Sequence, residues 1–147
     1  MNRGSCGRAC VFTVAALMCL SCGSTQSSVA EQPNAGSKLP FGYIESPHRG
    51  ETVRGQWPVQ GWAVSESGTK AVEIFVDRAY VGTAQVGVSR PDVEKAYPNI
   101  KNAGAAGWTY TLDSAAFTPG AHELVVQARS NENRTRDLGT IPLTVSR

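Results

Sequence analysis

The sequence predicts an all-β fold, a two-sheet antiparallel β-sandwich of about seven strands, and three observations carry the prediction. Beyond residue 40, short runs alternate apolar with polar side chains and are rich in Val, Ile, Thr and aromatic residues. Gly, Pro, Asn and Asp punctuate these runs at short intervals. No stretch there keeps a helical apolar period over the length of an ordinary helix.

Strands are expected at residues 41–46 and 59–65, and then at 70–77, where Val72, Ile74 and Val76 point to one side and Glu73, Phe75 and Asp77 to the other. Residues 80–86 return this strand as a hairpin. Its connection, Asp77-Arg78-Ala79, lacks the Gly or Asn that a tight turn favours, so a longer or bulged turn is expected. A short helix is expected at residues 91–96, with Pro91 in its first turn, Asp92 and Glu94 at the positive end of its dipole and Pro98 ending it. It is expected to cross between the sheets. Strands at 108–113, 122–130 and 138–145 complete the set.

The chain has 147 residues, 41% hydrophobic and 18% charged, which argues against both a polytopic membrane protein and a disordered acidic tail. The formal net charge is +2, and Arg3 and Arg8 lie in a segment expected to be removed, after which acids and bases balance. No charge is left to attract a nucleic acid. Arg3 and Arg8, an apolar run at residues 10–20 and the small residues after it follow the order of an export signal, and the run is too short for a bilayer, which needs about 20 residues. All four cysteines, Cys6, Cys10, Cys19 and Cys22, fall in this N-terminal region, so the body that follows has no disulfide or thiolate metal site.

Cys19-Leu20-Ser21-Cys22-Gly23 resembles the lipobox of bacterial lipoproteins, with Cys19 where such proteins usually carry Leu. The resemblance implies a signal peptide at 1–21, a diacylglyceryl group on the Cys22 sulfur and a membrane partner reached through that lipid. Several acyl chains would hold the protein firmly, since each buried methylene adds about 0.8 kcal/mol. Gly23 in place of Asp implies the outer membrane by the same resemblance. A competing cleavage pattern, Ser28-Val29-Ala30 before Glu31, would instead release a secreted or periplasmic soluble protein. Residues 22–39 are mostly small and polar and read as a flexible tether; residues 40–147 read as one sandwich domain.

Several motifs together resemble a bacterial immunoglobulin-like domain of exported proteins. They are Gly42-Tyr43-Ile44-Glu45-Ser46-Pro47, Val59-Gln60-Gly61-Trp62-Ala63, and the hairpin Val72 to Asp77 with Tyr80-Val81-Gly82. Arg90-Pro91-Asp92-Val93, Gly107-Trp108 and Gly120-Ala121-His122-Glu123-Leu124 complete them. The resemblance covers nearly all of the body after Phe41. It implies an immunoglobulin-like sandwich serving as a non-catalytic spacer, adhesive unit or accessory, and it names no ligand.

No catalytic residue is expected. A nucleophilic triad needs an oriented base, and the only histidines are His48, in a turn, and His122, which opens a strand with the parity of Leu124 and Val126. Two histidines without a nearby cysteine make no zinc site, the carboxylates are scattered, and the oxygen donors Asp92, Asn99, Asn102 and Asp113 lack the spacing of a calcium loop. No cofactor is expected. The ligand-binding candidates are aromatic, because flat rings stack on sugars or anchor a protein partner. They are Trp57, Tyr97 and Tyr80, with Trp57 expected to face solvent beside Gly55 and Pro58, while Trp62 and Trp108 are expected to pack inside. The function these readings support is a membrane-anchored structural or adhesive module at the cell envelope. The alternative is a carbohydrate-binding module, so a protein or a glycan is the expected partner.

Overall fold

The computed structural model describes residues 39–147. The expected signal peptide, Cys22 and the tether up to residue 38 lie outside the described residues. Nine strands and one short α-helix follow: β1 (Phe41–Ser46), β2 (Thr52–Val53), β3 (Gln56–Val64), β4 (Thr69–Val76), β5 (Ala79–Thr83), β6 (Gln85–Val88), α1 (Pro91–Ala96), β7 (Gly107–Asp113), β8 (Gly120–Ser130) and β9 (Thr135–Val145). They form a sandwich of a four-stranded sheet, ordered β1-β3-β7-β6, on a five-stranded sheet, ordered β2-β9-β8-β4-β5. All pairs are antiparallel except β2 with β9. No helix among the described residues is long and apolar enough to cross a membrane.

Period-two burial builds the interior. Val72, Ile74 and Val76 of β4, Leu124, Val126 and Ala128 of β8, and Val59 and Trp108 of the facing sheet close on one another with almost no exposure. Each large side chain among them contributes about 1.5–3 kcal/mol by leaving water. Gly61 makes room for the largest: a Cβ there would fall 2.9 Å from Trp108 Cζ2 and still closer to the Tyr43 carbonyl oxygen.

Three expectations are corrected. Residues 80–86 do not form one strand; buried Ala84 divides them, its N–H donating to the Val72 carbonyl at 2.7 Å, and the chain passes there from the five-stranded to the four-stranded sheet. The two resulting strands, with the two-residue β2, raise the count from about seven to nine. The connection after β4 is a tight two-residue turn, since Val76 pairs directly with Ala79 while Asp77 and Arg78 take φ of 51° and 68°. The irregularity expected in the turn lies in the ladder instead, between Ile74 and Phe75. The helix occupies residues 91–96 as expected, but it joins β6 to β7, neighbours in one sheet, and so does not cross between sheets.

Instead α1 and the 3-10 turn at Ala103–Ala105 fold over one end of the outer face of the four-stranded sheet. A second apolar cluster forms there, from Phe41 and Val64 on the strands and Val93, Ile100, Ala103 and Ala106 on the insertion, with Trp62 and Tyr97 packed against it.

Candidate functional site

The structure separates the three aromatic candidates. Trp57 is only 8% exposed and belongs to the main core, which corrects the expectation that it faces solvent. It shares parity with Val59, Gly61 and Ala63, all buried, and pairs with Leu112 across β3 and β7. Its ring therefore presents no open face and forms no platform with Tyr97, which sits in the second cluster. Tyr80 is 59% exposed on β5, edge to face with Phe75 at 5.7 Å, its hydroxyl 2.8 Å from Thr83 Oγ1. Trp108 is buried as expected, whereas Trp62 is only partly so. Cys22 lies outside the described residues.

A different set of side chains converges on the outer face of the four-stranded sheet. Tyr43 of β1 lies opposite Trp62 of β3, and Trp62 lies opposite Gly107 of β7. Tyr97, at the end of α1, leans on this row, with its ring 5.8 Å from Trp62 and 5.2 Å from Phe41. Tyr43 is 62% exposed, the most open large apolar side chain described. Its position was legible: it has the parity of Phe41 on a strand whose other face, Gly42 and Ile44, turns inward. The next row holds Gln60 opposite Thr109, with Gln85 beside it.

Arg90 crosses this face. A Cβ on Gly107 would fall 3.0 Å from Arg90 Cγ, so the side chain starts above β7, and its guanidinium donates to both Glu45 oxygens on β1 at 2.9 Å. It also donates to both Asp92 oxygens, at 2.9 and 2.7 Å. These bonds raise the affinity of Arg90 for its proton and hold Asp92 down at about pKa 2, chiefly through the hydrogen bond from Arg90. Both carboxylates keep exposed edges.

The histidines have structural surroundings. His48 is exposed in its turn beside Glu51. His122 places Nε2 2.6 Å from the Thr118 carbonyl and Nδ1 2.6 Å from Asp77 Oδ2, against the ring of Phe117. Both partners are acceptors, so both ring nitrogens are used and neither is left as a base. The Thr118 bond and then Asp77 raise the His122 pKa, while the Glu123 amide and then His122 lower that of Asp77. Among the described residues no three of His, Cys, Asp and Glu gather around a point where a metal ion could sit. Of the oxygen donors considered for calcium, Asp113 accepts from the Ala115 amide and Asp92 is held by Arg90.

A profile of the bacterial Ig domain family matches residues 40–126. Among solved structures, the fibronectin(III)-like modules of Clostridium thermocellum CbhA align with a TM-score of 0.51 and 12% identity, over 75% of this chain and 48% of that one. The endo-beta-1,4-mannanase from Thermotoga petrophila aligns with a TM-score of 0.53 and 13% identity, over 80% of this chain and 21% of that one. The chain thus spans about half of the first protein and a fifth of the second. At these identities the likeness is one of fold alone. No curated protein is significantly similar to the chain in sequence.

Proposed function

Because this chain belongs to the bacterial Ig domain family, we propose that it is a non-catalytic interaction module, exported and held at the cell envelope by a lipid on Cys22. The observation that supports the module reading most is how the reactive side chains are used. His122, Asp77, Arg90 and Glu45 are committed to bonds that fasten one element to another, and Asp92 is held by Arg90 within the start of α1, while exposed aromatic rings stand on sheet faces. Such a surface can hold a partner, and side chains bonded to one another in this way are not poised as a base or a nucleophile. The anchor reading draws on the sequence: a short apolar run, then Ser21-Cys22-Gly23.

Metabolic labelling with a radioactive fatty acid tests the anchor. The intact protein is expected to carry label and to remain in the membrane fraction, and Cys22→Ser to lose both. Label persisting on the serine variant, or a mature N-terminus at Glu31, overturns the anchor and leaves a soluble exported domain. Carbohydrate binding is a second reading, favoured by the 62% exposure of Tyr43 beside Trp62.

A further inference from the structure

Aromatic rings gather on both outer faces of the sandwich, yet the two faces differ in what surrounds them. Beside Tyr80 and Phe75 on the five-stranded sheet, the neighbouring polar groups are spent on one another: Glu73 bonds Arg129 at 2.9 Å and Gln127 bonds Asp137 at 2.7 Å. On the four-stranded sheet, Tyr43 and Trp62 sit opposite each other on neighbouring strands, with Tyr97 of the insertion against Trp62 at one end. One side of that row holds Gln60, Thr109 and Gln85, for none of whose side chains a hydrogen bond is described. Arg90 reaches over the face to Glu45, which lies on that same side because its neighbour Ser46 pairs with Gln60, and the Glu45 and Asp92 carboxylates remain 38% and 61% exposed.

We propose that this face binds a neutral oligosaccharide of pyranose units, with Tyr43 as its stacking residue. The inference rests on the interaction-module reading and names the ligand class. A pyranose ring has a C–H face and a rim of hydroxyls. The C–H face matches an exposed aromatic ring, and each hydroxyl both donates and accepts, as carboxylate edges, a guanidinium, amides and Thr109 require around it. The Arg90 network is already immobilised, so little side-chain freedom is lost on binding. Beside Arg90 the two carboxylates outnumber the one guanidinium, which disfavours an anionic group at that end of the face. The row is bordered by polar groups on its open side, which suits a narrow hydroxylated chain better than the broad apolar core of a protein interface.

Titration of the full-length protein with xylohexaose, cellohexaose and chitohexaose, followed by calorimetry and tryptophan fluorescence, tests the assignment. At least one is expected to bind, with a change in fluorescence from Trp62. Tyr43→Ala should weaken it by about tenfold or more while leaving the thermal midpoint unchanged, because the side chain is mostly in solvent. Tyr43→Phe should keep most of the affinity, and Tyr80→Ala on the opposite face should keep all of it. Absence of binding to all three sugars overturns the proposal, as does full affinity in Tyr43→Ala or its loss in Tyr80→Ala. Fatty-acid labelling of Cys22 is read independently, so failure here does not count against the anchor.

Discussion

At the scale of single residues, His122 shows how a group that looks chemically useful is consumed by structure. It lies mostly buried between a carbonyl and a carboxylate, and only the imidazolium can donate to both. The sign of its pH effect follows from its raised pKa. Its contribution is complete below the unfolded value of about 6.5 and fades as pH rises through the folded one. Asp77 works in the opposite direction: its pKa is lowered, so its share is present above the unfolded value of about 3.9 and fades as pH falls through the folded one. The urea midpoint of the intact protein is therefore expected to be highest near pH 5–6. It should decline above that, and His122→Gln should remove the decline at a cost of about 1–2 kcal/mol in the acid window. A midpoint unchanged between pH 5.5 and 8.5 in the intact protein would contradict the ion pair. Trp57 carries another lesson at this scale. Gly55 and Pro58 make its surroundings read as loop, yet parity with Val59 and Ala63 was enough to place it inside. Pro58 is tolerated because β1 ends opposite Gln60, leaving no partner strand to miss its N–H.

At the scale of elements, what is locally coded was legible and what depends on the opposite sheet was not. α1 is coded by Pro91, two acids and Pro98 within eight residues, and its limits could be read directly. The division of residues 80–86 depends on Ala84 packing against the core and bonding to Val72, twelve residues away, so no local pattern announces it. β2 has only two residues and exists because the Glu51 and Val53 carbonyls accept from the N–H groups of Thr144 in β9 and Ser146 just beyond it. The candidate face was half legible: Tyr97 was singled out, while Tyr43, whose parity marks it, was passed over, and the reach of Arg90 to Glu45 needed the tertiary fold. The β4–β5 turn gives a test at this scale. Arg78 holds φ of 68°, which costs an L-residue about 1–2 kcal/mol, part of which the larger unfolded-state freedom of glycine offsets. Arg78→Gly, giving the Asp-Gly pair that such turns favour, should stabilise the protein by about 0.5–1 kcal/mol in urea titration. Destabilisation would mean that the Arg78 side chain holds something beyond the turn.

At the scale of the molecule, the two apolar clusters stabilise the body without covalent help, since every cysteine of the chain precedes residue 23. Its thermal midpoint is accordingly expected to be the same with and without dithiothreitol, and a drop of several degrees on reduction would show a dependence on the N-terminal thiols. The fold class was open to sequence reading because each strand declares its buried side by alternation, and about a hundred residues of alternating strands have few ways to hide those sides. One geometric fact has mechanical weight. Pro40 leads directly into β1, and Tyr43 stands on that same strand. Tension between a glycan gripped at Tyr43 and anything attached upstream of Pro40 would run through the few backbone bonds of β1 that join them, so the ladder to β3 and the interior between the sheets are largely spared the load.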